Sequence, residues 1–474
     1  MSGTLAATAL ALALGQQVAA VALSALATVC VTAITHPRAY RMAAFVGIFA
    51  LPFAEALTVL RSDQYNWTLY FMALVLATVG LGIFQQRAVP ATLGGAYLTY
   101  IVLAAFFALW MRNELAGFYV IFDLLFALGI YTLVRRADSS ERRLLLGAFL
   151  VFACVEALIG IMQSWLGWPR FPLVLEELVS SQRNYFSFLL TGAATMVRQG
   201  SGTFHHFNGL GSVLALALPV AFGWWLQRLA SPGRALVTLL ITVGIVTTYS
   251  RGALAGAIVG CLFVMAFQRR HSRRVLGLLL GCAGVVILLL ALSTAAQYYE
   301  ATQNVTVRVS TWELAVTNAE RAPSNLVFGF GYGHFQEEVL STGDLATARR
   351  SGTMAGVHSG PLQLLLEFGV VGVVLFILWL VAVFRSGIGA RRTWLSVACL
   401  GGVIAFLCHQ SLDSWFFEYP GILMVILLAL CEAECDPEQG SAAIRSEDAE
   451  EKSPTLEQGL RLPPDRLAGQ LGAD

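Results

Sequence analysis

The chain has 474 residues, of which 57% are hydrophobic and only 12% are charged, and its formal net charge is +1. A water-soluble protein of this length cannot bury so many apolar side chains, so the composition excludes a soluble enzyme and indicates a polytopic membrane protein. The near-zero charge gives no sign of a nucleic-acid partner. The partner that the composition implies is the lipid bilayer.

The first apolar run, residues 5–35, is predicted to be a membrane helix. No Lys or Arg precedes it, and it is longer than the h-region of a secretory signal peptide. Each later run approaches the length needed to cross about 30 Å of hydrocarbon. These runs cover residues 43–60, 67–84, 91–111, 117–134, 144–167, 206–227, 235–250, 252–267, 275–295, 361–384, 393–413 and 418–434. The sequence therefore predicts an all-α fold, a polytopic transmembrane bundle of about 12–14 helices.

Arginine in the short loops predicts how the helices are oriented, because cytoplasmic loops carry an excess of basic residues. Four loops have this excess: residues 135–143, 228–234, 269–274 and 385–392. Alternation then places four intervals on the opposite, outer face: residues 169–205, 250–251, 296–358 and 411–417. We predict a transmembrane catalytic domain over residues 1–434, followed by a disordered cytoplasmic tail over 435–474 that is rich in Glu, Asp, Pro and Gln.

The longest polar interval between apolar runs is residues 296–358. A polar segment of this size, held on membrane helices, is a natural place for chemistry at a bilayer surface. Its sequence FGFGYGHF alternates Gly329, Gly331 and Gly333 with aromatic residues. The motif has neither a strand–turn–helix context nor a lysine, so the sequence argues against a nucleotide-binding fold.

Two arginines on the predicted outer face are candidates for binding an anion. Arg251 lies in a tight turn between two apolar runs, where a charge is costly unless it meets an anion, water or lipid headgroups. Gly252 and Gly256 follow it and would let another backbone come close. An interfacial anchor remains an equal alternative for Arg251. On spacing alone, a solvated loop residue is the favoured interpretation of Arg308.

His358 stands at the end of the polar interval and opens the next apolar run. A lone His at a membrane boundary is more often a polar interface residue than a catalyst. At the start of a helix, however, the dipole favours the neutral imidazole that a general base requires. Glu367 follows nine residues later within the apolar run, where it either pairs with an arginine or bonds to neighbouring helices.

Four blocks of sequence together resemble the O-antigen ligase and O-antigen polymerase superfamily. They are GTFHHFN before a helix, YSRGALAG at a turn, Arg308 with the later FGFGYGHF, and HSGPLQLLLEFGVVG at the start of the next helix. They span residues 198–372 in the family's order and frame the large loop that precedes the third-last helix. The resemblance implies a GT-C-like helix bundle in the bacterial inner membrane, with its active site on the periplasmic face.

The resemblance also implies a reaction and a set of site residues. Such enzymes move a glycan from undecaprenyl diphosphate to an acceptor sugar hydroxyl, on lipid A-core for a ligase and on another repeat unit for a polymerase. Guanidinium groups offer permanently charged, bidentate partners for phosphate oxygens. We expect catalytic roles for Arg251, Arg308 and His358, the last as general base. The residues expected at the substrate are Arg198, His205, Asn208, Gln363 and Glu367.

No D-x-D pair or cluster of His and carboxylates occurs in the predicted outer loops, so we expect catalysis without a metal or other cofactor. The competing class is a polysaccharide transporter or flippase, for which Glu55, Asp123 and Glu156 would be midplane charges. That class does not explain a long polar loop with arginines and a His gathered on one face, and no internal repeat supports it. Ligase, polymerase and protein-glycosylating relatives stay open, with a slight preference for a ligase.

Overall fold

The structure is a computed structural model. It describes residues 41, 45, 48–49, 91–112, 118–167, 181–184, 195–204, 206–268, 312–313, 317, 323–331, 359–389, 393–411, 413 and 419–435. The predicted helices over 5–35, 67–84 and 275–295, most of the helix over 43–60 and residues 436–474 of the predicted tail lie outside these residues. The same holds for most of the polar interval 296–358.

The described residues form ten helices and one pair of strands. The helices are α1 (Leu93–Arg112), α2 (Phe118–Arg136), α3 (Ser139–Leu166), α4 (Phe207–Leu226), α5 (Pro232–Thr248), α6 (Arg251–Phe267), α7 (Pro323–Phe328), α8 (Gly360–Ile388), α9 (Trp394–Gln410) and α10 (Tyr419–Cys435). The strands are β1 (Ser181–Asn184) and β2 (Thr195–Arg198), which pair antiparallel with Ser181 opposite Arg198.

The all-α prediction is confirmed, because every helix except the short α7 coincides with a predicted apolar run. The β1–β2 pair is an addition that the sequence did not predict. By length and composition, α3, α4 and α8 are long and apolar enough to cross a membrane, and α5, α6 and α9 are shorter apolar helices. The chain is therefore a multi-pass membrane protein. The total number of crossings remains a prediction.

Local sequence explains where two of these helices begin. Asp138 caps α3, because its side chain accepts hydrogen bonds from the backbone N–H groups of Ser140 and Glu141 at 2.8 Å. The Glu141 carboxylate accepts in return from the Asp138 N–H at 3.0 Å, which completes a capping box. Thr393 and Ser396 exchange the same pair of bonds at the start of α9.

The centre of the bundle is α4, which is enclosed by α3, α5, α6 and α9. Helix α4 is much more buried than α8. In an apolar stretch of 18 residues, 89% of α4 is buried within the protein, against 44% of α8. Helix α6 lies close to α9 because its glycines face main-chain atoms there. A Cβ added at Gly256 would overlap the Ala405 carbonyl oxygen, and one at Gly260 would overlap that of Gly401. The predicted close approach at Gly256 is therefore confirmed.

Helices α6 and α9 run antiparallel, so the start of α6 and the end of α9 share one end of the bundle. We call it the Arg251 end. The opposite end, about 25 Å away along the 17 residues of α9, is the Arg135 end. There Glu432 accepts hydrogen bonds from Tyr131 Oη and Trp379 Nε1, both at 2.7 Å, and pairs with Arg135 Nε at 3.4 Å.

Candidate active site

Two of the sequence blocks meet at the Arg251 end, at the starts of α4 and α6. Arg251 is the first residue of α6 and is half-buried. Ser250 caps the helix, and its side chain accepts from the Ala253 N–H at 3.4 Å. Tyr249, just before the cap, adopts a left-handed conformation with φ 58°, which makes the turn tight. Partial burial raises the pKa of the Tyr249 phenol, so this side chain stays neutral at physiological pH.

The first block reaches the same place through the start of α4. His206 caps this helix, since its Nδ1 accepts from the Asn208 N–H at 3.1 Å, and its ring stacks on Phe207 with centroids 4.0 Å apart. The Asn208 carbonyl oxygen accepts from Ser212 Oγ at 2.9 Å. His205, which the sequence analysis favoured, lies outside the described residues. The described histidine of the pair has a structural role.

The loop before α4 is held by two buried side chains of α3. Glu156, which is 0% exposed, accepts from Thr203 Oγ1 at 2.6 Å and from the Thr203 N–H at 3.0 Å. Gln163 accepts from the N–H groups of Ser201 and Gly202 at 2.9 and 2.8 Å, and donates to the Gly202 carbonyl at 2.7 Å. Glu156 is therefore an anchor for a loop. Had Glu156 served as a charge for a transported ion at the middle of the membrane, it would have supported the transporter alternative.

The fourth block enters α8, and this helix is broken nine residues after it begins. Gly369 has φ 66° and ψ −174°, so the main-chain hydrogen bonds of a regular helix cannot continue through it. Three carbonyl groups bond elsewhere: Leu366 accepts from the Phe330 N–H at 2.7 Å, Glu367 from the Gly331 N–H at 3.1 Å, and Phe368 from Tyr100 Oη at 2.9 Å. A break in a membrane helix requires such partners, because lipid offers none.

The glycine motif of the third block supplies two of these partners. Gly329 and Gly331 have φ values of 84° and 92°. A Cβ at Gly329 would overlap the Glu367 carbonyl oxygen, and a Cβ at Gly369 would overlap that of Val327. The glycines in FGFG therefore permit close backbone packing between the polar interval and α8. The structure therefore gives this motif a packing role, whereas the sequence analysis considered it only for phosphate binding.

Gln363 and Glu367 lie one helical turn apart on the first part of α8. Gln363 Nε2 donates to Glu367 Oε1 at 3.1 Å, and the Glu367 side chain is buried. Because this bond lies within α8, it decides neither of the two alternatives for Glu367, an arginine partner or a bond to a neighbouring helix. The first residue of α8 is anchored separately, since the Gly360 N–H donates to the Asp413 carbonyl oxygen at 2.7 Å.

Three predicted site residues are not described at the level of side chains. Arg308 and His358 lie outside the described residues, and of Arg198 only the backbone, the last residue of β2, is described. Their roles remain predictions. The described part of the chain resumes at Ser359.

The sequence analysis missed the residue that links these blocks. His409, at the end of α9, is 2% exposed. Its Nδ1 lies 2.9 Å from Ser212 Oγ in α4, and its Nε2 lies 3.3 Å from Ser250 Oγ before α6. The signal available was a polar group, His409 and Gln410 followed by Asp413, closing an otherwise apolar run.

Part of the chain matches a known protein family. A family model described as O-antigen ligase matches residues 235–377, which hold most of α5, all of α6 and α7, and the first part of α8. The match therefore supports the O-antigen ligase superfamily for this part of the chain. The match contains three of the four blocks, and GTFHHFN lies before it. No curated protein matches the chain.

This match supports the resemblance to the O-antigen ligase superfamily that was drawn from the sequence. Together with the apolar helices, the match supports a membrane glycosyltransferase of the ligase and polymerase type over a transporter. Within the described residues, no three His, Cys, Asp or Glu side chains gather as a metal site. Catalysis without a metal stays a prediction.

Proposed function

We propose that the protein transfers a glycan from undecaprenyl diphosphate to an acceptor sugar hydroxyl at the periplasmic face of the inner membrane, with lipid A-core as the acceptor. The observation that carries the proposal is Arg251, half-buried at the capped start of α6 within the family domain. A helix N-terminus and a guanidinium group both favour an anion. A lipid diphosphate is the anion that this family uses.

The chemistry follows from the charge on the leaving group. As the glycosidic bond breaks, negative charge grows on the diphosphate, and an arginine already aimed at it stabilises the transition state more than the bound donor. Arg251 and Arg308 take this role. His358 accepts the proton of the acceptor hydroxyl as the new bond forms. Arg198, His205, Asn208, Gln363 and Glu367 contact the glycan or the carrier in this proposal.

The proposed route needs no metal, because arginine supplies the positive charge. Transfer by the purified protein is therefore expected to survive excess EDTA. Loss of activity that Mg²⁺ or Mn²⁺ restores would contradict this, with Glu337 and Glu338 as the first ligands to replace.

Deletion of the gene tests the acceptor. A ligase leaves free lipid A-core while the carrier-linked polymer stays intact, and this is the expected result. A polymerase leaves core that bears a single repeat unit. Reintroducing the wild-type chain, with Arg251→Ala as the matched inactive control, assigns either phenotype to this protein.

A further inference from the structure

His409 is the point where the starts of two helices from different sequence blocks are joined. It lies on α9, outside all four blocks and beyond the part of the chain that the family model matches. Its ring bridges Ser212 of α4 and Ser250 of the turn before α6. Gly252 leaves room for the ring: a Cβ there would come 2.9 Å from His409 Cδ2.

Two hydroxyl groups and one amide surround the His409 ring. Ser212 Oγ, which donates to the Asn208 carbonyl oxygen, lies 2.9 Å from His409 Nδ1. Gln410 Nε2 lies 3.3 Å from the same ring nitrogen and 3.4 Å from Ser212 Oγ. Ser250 Oγ lies 3.3 Å from His409 Nε2. The ring therefore contacts α4 through Nδ1 and the cap of α6 through Nε2.

The result is one continuous chain of hydrogen bonds from the α6 cap to the first turn of α4. It runs from Ser250 through His409 and Ser212 to Asn208. Ser250 is the cap of α6, and Arg251 is the next residue. Any shift of the cap relative to α4 would move the Arg251 backbone by a similar distance.

We propose that His409 is a positioning residue that fixes the Arg251 turn against α4 for binding of the lipid diphosphate. This inference rests on the proposed function of Arg251. His409 itself touches no substrate in this role. It acts by holding the cap of α6 where the guanidinium group meets the phosphate oxygens, since a small misplacement of a charged partner weakens both binding and transfer.

The test compares binding of undecaprenyl diphosphate, without glycan, to full-length variants in nanodiscs. His409→Leu removes both ring bonds while keeping an apolar side chain, and Ser250→Ala breaks the same chain with a smaller change. We expect either variant to raise the Kd by about five- to tenfold, the equivalent of one hydrogen bond. Ser250→Ala carries the test if His409→Leu does not give folded protein.

A double variant separates positioning from general stability. If His409 acts through Arg251, then His409→Leu or Ser250→Ala should not raise the Kd further in an Arg251→Ala background. Trp379→Phe is the matched control: it removes a buried hydrogen bond between helices at the Arg135 end, and it should leave the Kd unchanged.

Wild-type affinity in both single variants, or effects that add to that of Arg251→Ala, would overturn the positioning role alone. Wild-type affinity in Arg251→Ala would instead overturn the proposed function and remove the basis of this inference. The two failures therefore give different results in the same set of measurements.

Discussion

The two ends of the bundle satisfy their buried polar groups in different ways. At the Arg135 end, the guanidinium groups of Arg135 and Arg142 pair with the carboxylates of Glu432 and Glu434. At the Arg251 end, three buried ionisable side chains bond to hydroxyl, amide and main-chain groups. These bonds join Glu156 to Thr203, Glu367 to Gln363, and His409 to Ser212 and Ser250.

This difference separates stability from function along one molecule. Opposite charges that neutralise each other within the protein leave no net charge for a ligand, so the Arg135 end is suited to holding helices together. At the Arg251 end, polar groups instead fix the loops that carry the predicted site. Substitutions at the first end should therefore change stability, and substitutions at the second should change transfer in protein that remains folded.

The sharpest test of the comparison is His358→Ala. Loss of a general base typically lowers the rate by about 10²–10⁴-fold, and binding of the donor should be unaffected because the imidazole does not hold it. Transfer and carrier-lipid binding should be measured separately on monodisperse protein. A folded variant with wild-type transfer would remove His358 from the mechanism.

A second prediction concerns the shape of the charge at Arg251. Arg251→Lys keeps one positive charge but loses the planar pair of donors, so kcat/KM should fall by about tenfold or more. The matched variant at the other end is Arg135→Lys, which should transfer glycan normally. Equal activity of Arg251→Lys and wild type would support the alternative of a simple interfacial anchor.

The break in α8 provides a third prediction, on stability and transfer together. In Gly369→Ala, the new Cβ would overlap the Val327 carbonyl oxygen, and the alanine backbone would have to adopt a positive φ. We expect this strain to lower the free energy of unfolding by about 1–3 kcal/mol. The melting temperature should fall, and transfer should fall with it because residues 323–331 lose their place. Gly147→Ala is the control, since a Cβ there meets nothing within 4 Å.

The smallest effect on function is expected at Glu432. Glu432→Gln removes the charge that pairs with Arg135 and weakens the bonds from Tyr131 and Trp379, so the free energy of unfolding should fall by about 1–3 kcal/mol. The Kd for undecaprenyl diphosphate should stay at its wild-type value. A large rise in that Kd would show that the two ends are not independent.

The sequence predicted the helices well because each is an apolar run of membrane length bounded by polar residues. It could not predict the break at Gly369, since LLLEFGVVG is apolar apart from Glu367 and the break depends on partners from Phe330, Gly331 and Tyr100. It could not assign a role to Glu156, because a buried carboxylate looks the same in sequence whether it serves a transported ion or holds a loop at Thr203.

The sequence could identify those site residues whose type and position together indicate a chemical role. Arg251 was found because a charge between two apolar runs requires an explanation. His409 was missed because a single His within an apolar helix has no pattern. Its importance depends on Ser212 and Ser250, which lie 197 and 159 residues away in sequence.

The bond from Tyr100 to the carbonyl of Phe368 has a consequence for how the chain is made. Its two partners are 268 residues apart, and Phe330 and Gly331 bond to the same stretch of α8. During translation, the segment around residue 330 emerges from the ribosome before its acceptors on α8 have been synthesised. We therefore expect this part of the protein to assemble only after α8 has inserted, so the predicted catalytic face would be completed late in biogenesis.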